Sequence, residues 1–327
     1  MADSRTLAQS LHDSLACSIA TLAEGCPSFL EDPDLIQRLA EVSSGLQVSD
    51  EPPAEAPPAV LSLEQALELT DTSQHLLASL QSPWSETLSI DTLAVLGRLL
   101  RDLSAGLAVA FRRQQSHKIR GLYVIIDPEV TRGRDPLGVA AAAIRGGARM
   151  LQLRDKLRDK GESMALASSL QELCQANDAL LIINDHLDLA VAVGAGGAHV
   201  GQTDLPIAEA RQVLRPHQVL GRSNREFEQL AESQEMGADH VAFGPIYDTS
   251  TKSIVRQPQG IERLKLARAV ASVPLVAIGG INIKNVAPVV EAGADAICVT
   301  AAVGVATNPE AAARRLVKAI QSAGGQV

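Results

Sequence analysis

The chain has few aromatic residues, and this limits the kind of core that it can build. One Trp, two Tyr and four Phe make up 2% of its 327 residues, whereas 46% of the residues are apolar. Ala, Val, Leu and Ile must therefore fill the interior. A chain of this length suffices for one large domain or two ordinary ones.

Cysteine is scarce, and its spacing argues against a zinc site. The four cysteines are Cys17, Cys26, Cys174 and Cys298, and none lies in a CxxC pair, the spacing typical of zinc ligands. We expect thiols in a reducing compartment. No apolar run reaches the length of a membrane span, and the first residues lack the basic start and apolar core of a signal peptide. These absences predict a soluble, cytoplasmic protein.

Basic charge is not in excess, and the acidic residues are concentrated in one third of the chain. Residues 1–117 contain 6 basic and 16 acidic residues, a net charge of −10, whereas residues 118–327 contain 23 and 22, a net charge of +1. A nucleic-acid-binding protein needs a basic surface, which this composition does not supply. The expected partners are small molecules, with no nucleic acid and no membrane.

Residues 1–117 are predicted to form an all-helical N-terminal domain. One predicted helical face has apolar residues at three- and four-residue spacing, namely Leu7, Leu11, Leu15, Ile19 and Leu22. An acidic, proline-rich segment near 48–59 reads as a linker, because proline fixes φ and lacks an amide donor. The apolar faces need a partner, which these helices, the following domain or a second subunit can supply, so a homo-oligomer stays open.

From residue 118 onward, short aliphatic runs alternate with longer helical patterns. The eight runs are GLYVIID, MLQLRD, LLIIND, AHVGQ, VLGRS, HVAFGPIY, PLVAIGGI and AICVT. Apolar strands alternating with helices indicate a parallel sheet that is covered on both sides. Residues 118–327 therefore predict an α/β fold, a (β/α)₈ barrel of the TIM type. The rival, a doubly wound sheet, usually has a glycine-rich turn after its first strand, and GLYVIIDPEV has none.

A repeated Gly-Ala pair supports the barrel. It precedes four of the predicted strands, and glycine can take the left-handed conformation that ends a helix. We expect this role for Gly147, Gly197, Gly237 and Gly293.

In such barrels the working residues follow the carboxyl ends of the strands. The second run ends in QLRDK, and strand alternation would put Gln152, Arg154 and Lys156 on one face. These side chains predict an anion site, although a solvated strand end with surface ion pairs is the alternative. The third and fourth runs lead to Asp185 and Asp204, which are either helix N-caps or oxygen ligands of the kind that Mg²⁺ prefers.

The last three runs predict a second anion site. Hydroxyl groups and a lysine follow strand six, and glycine or backbone amides follow strands seven and eight, where barrels commonly bind phosphate. A flexible polar loop is the alternative for strand six. No Cys–His or Ser–His–Asp arrangement favours covalent catalysis. The candidates are Thr249, Ser250, Thr251, Lys252, Gly280, Val299 and Thr300.

Seven motifs resemble the thiamine phosphate synthase family, in order from Gly121 to about Ile320. They are QLRDK, IIND, HVGQTDLP, GRSN, GPIYDTSTK, VAIGGI and ADAICVTAAV. The resemblance implies a transferase that joins hydroxymethylpyrimidine diphosphate to thiazole phosphate with Mg²⁺ and releases diphosphate. Residues 1–117 resemble, more faintly, a helical extension that is fused to the synthase in some bacteria.

Roles follow from the resemblance, motif by motif. Asp185 and Asp204 would bind Mg²⁺, and Lys252 would touch the diphosphate. Arg154, Lys156, Ser223 and Lys252 would be the catalytic group. The pyrimidine diphosphate would be bound by Gln152, Arg154, Lys156, Asn184 and Ser223. The thiazole phosphate would be surrounded by Thr249, Ser250, Thr251, Gly280, Val299 and Thr300.

The resemblance also suggests how the bond breaks. The aminopyrimidine can donate electrons into the departing methylene, so substitution would be dissociative, and metal and cations would neutralise the leaving charge. Asn224-Arg225 stands where the family commonly has Thr-His, and Asp248 where many members have proline. The alternative is a thiazole tautomerase-like or non-catalytic thiazole phosphate-binding barrel with a regulatory helical domain.

Overall fold

The computed structural model describes residues 2–46, 60–80, 88–131, 133–249 and 257–327. The chain divides into two compact units, Met1–Phe111 and Arg112–Val327. The division falls a few residues before the expected domain boundary at 117. The predicted linker near 48–59 lies outside the described residues.

The N-terminal unit is helical, as predicted. A 3₁₀ turn at Pro27–Phe29 follows its first helix. The helices are α1 (Ala2–Gly25), α2 (Pro33–Gly45), α3 (Leu63–Leu80) and α4 (Ile90–Ser116), the last of which continues into the second unit.

The core of this unit is built mainly from leucine. Leu15, Ile19 and Leu22 are buried within it, and Leu11 is partly buried. Leu7, however, is 62% exposed. The predicted helix is confirmed at Leu7, but helical spacing does not show how far along a face the packing extends.

Eight strands in the described part of the second unit close into a parallel barrel in chain order, β1 to β8. The predicted (β/α)₈ barrel is confirmed. The strands are β1 (Gly121–Ile126), β2 (Met150–Leu153), β3 (Leu180–Asn184), β4 (Gly197–Val200), β5 (Val219–Asn224), β6 (His240–Phe243), β7 (Leu275–Ile278) and β8 (Ala296–Val299).

Helices follow the strands and cover the barrel. They are α5 (Pro128–Thr131), α6 (Pro136–Arg145), α7 (Lys160–Gln175), α8 (Leu187–Ala192), α9 (Ile207–Val213), α10 (Phe227–Glu235), α11 (Gly260–Val270), α12 (Val286–Glu291), α13 (Ala301–Gly304) and α14 (Pro309–Ser322). No helix in the described ranges is both long and apolar enough to cross a membrane. None of the four cysteines forms a disulfide.

The barrel has two apolar layers, because strand side chains alternate between its inside and its outside. The larger layer packs between the strands and the helices. The inner layer fills the barrel and includes Tyr123, Met150, Ile182 and Cys298. The interior is therefore a packed core, and ligands have access at its ends.

Strand register brings the ends of the first three strands to one level. Ile126 pairs with Leu153, and Leu153 pairs with Ile183. The residues that follow these strands therefore emerge side by side at the mouth of the barrel.

Three of the four Gly-Ala glycines have the predicted conformation. The φ angles of Gly147, Gly237 and Gly293 are 101°, 92° and 92°. The prediction for Gly197 was wrong, because Gly197 is the first residue of β4 and the positive φ of 62° belongs to Gly194. A Cβ atom on Gly197 would lie 2.0 Å from the carbonyl oxygen of Val219, so glycine is required there for close strand approach.

The end of α4 suggests where an independent barrel fragment should begin. Arg112 Nε donates to Asp239 Oδ1 at 3.3 Å, and both side chains are largely buried. Arg112 also contacts the carbonyl of Pro216. We predict that a 112–327 fragment folds. A fragment that begins at residue 116 should lose about 1.5–3 kcal/mol of unfolding free energy, the usual contribution of a hydrogen bond to a charged group.

Urea unfolding followed by circular dichroism measures the difference. Arg112→Ala in the longer fragment is the control and should reproduce most of the loss. Equal stability of the two fragments would contradict the assignment of Arg112 to the barrel.

Candidate active site

Arg154 is held by a carboxylate from the neighbouring strand end. Its Nη1 donates to Asp127 Oδ2 at 2.6 Å, and the side chains of Arg154 and Asp127 are 19% and 1% exposed. Asp127 Oδ1 accepts the backbone amides of Glu129 at 3.0 Å and Val130 at 3.3 Å. Asp127 therefore begins α5 and fixes the guanidinium with the same carboxylate.

Lys156 contacts the carboxylate that follows β3. Its Nζ lies 2.6 Å from Asp185 Oδ2, and the side chains of Lys156 and Asp185 are 39% and 20% exposed. Asp185 has a φ of 61°, which is uncommon for a residue other than glycine. Arg154 and Lys156 both follow β2, but they pair with different neighbours. Arg154 pairs with a carboxylate that follows β1, whereas Lys156 pairs with one that follows β3.

Gln152 points into the barrel. Its Nε2 donates to the hydroxyl of Tyr123 at 2.6 Å, and both residues are buried. Burial raises the pKa of Tyr123 well above its ordinary value, so the phenol keeps its proton. β2 ends at Leu153, so the strand alternation on which the expected shared face was based covers Gln152 but not Arg154 and Lys156.

Asp204 lies in the turn after β4, and its Oδ2 accepts the amide of Gly201 at 2.7 Å. The N-cap positions of α8 and α9 are His186 and Pro206. The N-cap alternative for Asp185 and Asp204 is therefore wrong. In this part of the barrel mouth both carboxylates are available for another role.

The two carboxylates influence each other. Burial raises the pKa of Asp204, and the neighbouring carboxylate of Asp185 raises it further, whereas Gly201 and Lys156 lower it. A divalent cation beside Asp204 and the neighbouring carboxylate of Asp185 would favour the charged form of Asp204.

The two carboxylates fit one kind of Mg²⁺ site, in which the protein supplies only part of the coordination. No cluster of three or more His, Cys, Asp or Glu in the described ranges could hold an ion by itself. Mg²⁺ usually keeps several waters and takes one or two protein carboxylates together with substrate phosphates. The pair Asp185 and Asp204 matches that requirement.

Ser223 lies below the mouth against two buried histidines. Its Oγ is 2.9 Å from His199 Nε2, and His199 Nδ1 is 3.4 Å from His240 Nε2. Burial, together with the positive charge of Arg211, lowers the pKa of His240 to about 3. Sequence reasoning passed over both histidines, although they stand in HVGQTDLP and HVAFGPIY. Two-residue spacing along the strands could have placed them inside the barrel.

The remaining candidates on strands two to five lie close by. Asn184 is the last residue of β3 and is paired in register with His199. Asn224, one of the departures from the family pattern, is buried, and its side-chain oxygen accepts Ser233 Oγ at 2.8 Å and Gln202 Nε2 at 3.1 Å. It therefore fixes the end of β5 rather than entering the mouth.

The second predicted anion site is described in part. Val299 ends β8, and Thr300 occupies the N-cap position of α13. Gly280 follows β7 with a φ of 69°, and a Cβ atom there would lie 2.4 Å from the carbonyl oxygen of Asp248. The loop after β7 thus packs directly on the loop after β6. Thr249 is half-buried, whereas Ser250, Thr251 and Lys252 lie outside the described residues.

The comparison with protein families decides the classification. The family model described as thiamine monophosphate synthase matches residues 122–303, more than half of the chain. The chain belongs to the thiamine monophosphate synthase family. The match lies within the second unit and covers each candidate residue named above.

Individual members of the thiamine monophosphate synthase family match a slightly larger share of the chain than the family model does. The thiamine-phosphate synthase of Thioalkalivibrio sulfidiphilus is 43% identical over 205 residues, 62% of this chain and 96% of the relative. That of Shouchella clausii is 40% identical over 202 residues, 62% of this chain and 97% of the relative. The solved structure of thiamine phosphate pyrophosphorylase from Pyrococcus furiosus is 31% identical, with a TM-score of 0.60, and covers 64% of this chain and 100% of its own.

The buried ion pair of Asp127 generates a stability prediction. Asp127→Asn preserves an oxygen for the α5 amides but removes the counter-charge of Arg154. We expect a loss of about 1–3 kcal/mol in unfolding free energy, because a charged donor is left without its charged partner. Urea unfolding measures this loss.

Asp135→Asn is the matched control. Asp135 is exposed and caps α6 by accepting the amides of Leu137 and Gly138. Asn and Asp cap helices about equally well, so its effect should be close to zero. Equal losses in the two variants would show that the pairing with Arg154 does not stabilise the barrel.

Proposed function

We propose that this chain is a thiamine phosphate synthase, which joins hydroxymethylpyrimidine diphosphate to thiazole phosphate and releases diphosphate. The observation that carries the proposal is the charge arrangement at the barrel mouth. Lys156 contacts Asp185 at 2.6 Å, and both groups influence the ionisation of Asp204. A cation beside two mutually repelling carboxylates suits a diphosphate that arrives with a divalent metal.

The pyrimidine diphosphate would occupy the mouth between β2 and β5. Arg154 is held nearly buried by Asp127, so its position is fixed before the ligand arrives. Lys156 is more exposed and can turn from Asp185 to a phosphate oxygen. Gln152, Asn184 and Ser223 would surround the pyrimidine, and Lys252 would approach the diphosphate from the loop after β6.

Mg²⁺ would be held by Asp185 and Asp204 and, when bound, would offset the charge that develops on the departing diphosphate. Phosphate oxygens and waters would complete its coordination.

The thiazole phosphate would lie over β6 to β8. Gly280 lets the loop after β7 approach the loop after β6. The backbone of the loop after β7 therefore lies close to this end of the barrel. Thr249, Ser250 and Thr251 would supply hydroxyl donors to the phosphate. Val299 and Thr300 would supply backbone amides.

The chain's residues position the reactants and stabilise the leaving group. The aminopyrimidine can release electrons into the methylene as its bond to diphosphate breaks, and the cations Arg154, Lys156 and Lys252 balance the departing charge. The thiazole nitrogen attacks with a free lone pair, so the chain needs no general base. Holding this nitrogen in line with the methylene accelerates formation of the bond between the nitrogen and the methylene carbon.

The helical N-terminal unit supplies none of the proposed site residues. Its net charge of −10 over residues 1–117 would repel two anionic substrates rather than attract them. We therefore assign the chemistry to the barrel, in a cytoplasmic enzyme whose partners are small molecules. The apolar helices leave a homo-oligomer open.

The test is a turnover assay with both substrates and Mg²⁺. The wild-type chain should form thiamine phosphate and inorganic diphosphate in equal amounts. Asp185→Asn and Asp204→Asn should each lower turnover by about 100-fold or more, as loss of a stabilising charge commonly does, while their circular dichroism stays that of the wild type.

Asp188→Asn is the control for a general loss of negative charge. Asp188 contacts Lys160 at 2.7 Å, and both side chains are exposed, so its removal should leave turnover within about twofold because exposed pairs contribute little. The proposal fails if the wild type forms no thiamine phosphate. The metal assignment fails if both carboxylate variants keep near-normal activity.

A further inference from the structure

A line of three polar groups runs from the mouth into the barrel. Ser223 Oγ lies 2.9 Å from His199 Nε2, and His199 Nδ1 lies 3.4 Å from His240 Nε2. Both histidines are buried, and His240 is 0% exposed. The line begins at a residue of the proposed pyrimidine site and ends at a residue that this site does not use.

Glycine in β5 makes room for the two rings. A Cβ atom on Gly221 would lie 2.0 Å from His240 Nε2 and 2.6 Å from His199 Nδ1. The facing imidazoles therefore occupy the space that a side chain of β5 would otherwise fill. The pair is built into the interior of the barrel by strand register, since Gly221 is paired with both His199 and His240.

The two hydrogen bonds along this line can have either of two donor directions. A neutral imidazole carries one N–H and one bare nitrogen, and the lowered pKa of His240 keeps that ring neutral. In the inward-to-outward direction, His240 Nε2–H donates to His199 Nδ1, and His199 Nε2–H donates to Ser223. In the reverse direction, Ser223 donates to His199, which donates to His240.

The innermost nitrogen distinguishes the two directions. Nδ1 of His240 is buried and has no hydrogen-bond partner among the residues that the structure describes. The reverse direction would put a proton on this nitrogen and leave a buried N–H unpaired. Unpaired buried N–H groups are rarer in proteins than acceptors that lack a donor, so the inward-to-outward direction is favoured.

We propose that His240 is a positioning residue that fixes the tautomer of His199, so that the Ser223 hydroxyl donates its proton into the mouth. The identity of the acceptor, an oxygen or ring nitrogen of the pyrimidine diphosphate, rests on the proposed function. The tautomer itself does not. His199 and His240 thereby determine that Ser223 acts as a donor to the ligand rather than as an acceptor.

The first test uses the full chain without ligand. Nitrogen-15 NMR of histidine-labelled protein distinguishes a protonated ring nitrogen from a bare one, and His199→Gln and His240→Gln variants assign the signals. Protonation of Nε2 on both rings is the expected result. His199 protonated on Nδ1 would overturn the proposal, because Ser223 would then be the donor to His199.

The second test is kinetic. His240→Met removes the inner donor at similar size, whereas His240→Gln keeps an amide N–H near the position of Nε2. The Met variant should raise KM for the pyrimidine diphosphate about three- to tenfold, the range for one hydrogen bond. Its kcat and its KM for thiazole phosphate should stay within about twofold of wild type. The Gln variant should recover most of the loss.

Ser223→Ala and His240→Met together form a double-mutant cycle. If His240 acts through Ser223, adding His240→Met to Ser223→Ala should raise this KM no further. Additive losses, or equal losses in the Met and Gln variants, would overturn the positioning role. If the Met variant fails to fold, the wild-type NMR result still decides the tautomer. A wild-type chain that makes no thiamine phosphate would refute the proposed function and leave the NMR test standing.

Discussion

Two cations at the barrel mouth pair with carboxylates that follow neighbouring strands, and the rest of the site depends on these pairs. They differ in burial. Arg154 is 19% exposed and Asp127 is 1% exposed, so separating them would leave a nearly buried charge unpaired, which is costly. Lys156 is 39% exposed, and exposed pairs are worth about 0–1 kcal/mol. One pair is therefore fixed, and the other can exchange partners at little cost.

This difference suits a site that must bind and release a highly charged leaving group. Arg154 stays in place through its contact with Asp127, which also begins α5. In the proposed function, Lys156 would leave Asp185 for a phosphate oxygen, and Asp185 would be free to hold the metal.

The barrel could be predicted from sequence because its strands are separate, continuous apolar runs. All eight were located, and because the strands are parallel, the described residues that follow them lie at one end of the barrel. The local role of each polar residue could not be predicted in the same way. A strand-end aspartate looks identical in sequence whether it caps a helix, as Asp127 does, or leaves the cap to His186, as Asp185 does. The prediction of a left-handed conformation for Gly197 was wrong for a related reason, because the close approach of another strand depends on residues distant in the chain.

The interior of the barrel adds a layer that sequence patterns alone do not show. Aliphatic side chains fill most of it, yet β4, β5 and β6 place His199 between Ser223 and His240, within hydrogen-bond distance of both. Their buried, mostly apolar surroundings keep His240 neutral, which makes it a directional hydrogen-bonding group rather than a charge. The mouth thus combines one fixed and one exchangeable ion pair with a buried line of polar groups beneath them.

Calorimetric titration of the full chain with inorganic diphosphate tests the central claim most directly, that the mouth is a metal-assisted diphosphate site. The account predicts that diphosphate binds at least about tenfold more tightly with Mg²⁺ than without it, about 1.4 kcal/mol, and that Asp185→Asn abolishes this difference. Equal affinity with and without Mg²⁺ in the wild-type chain would contradict it.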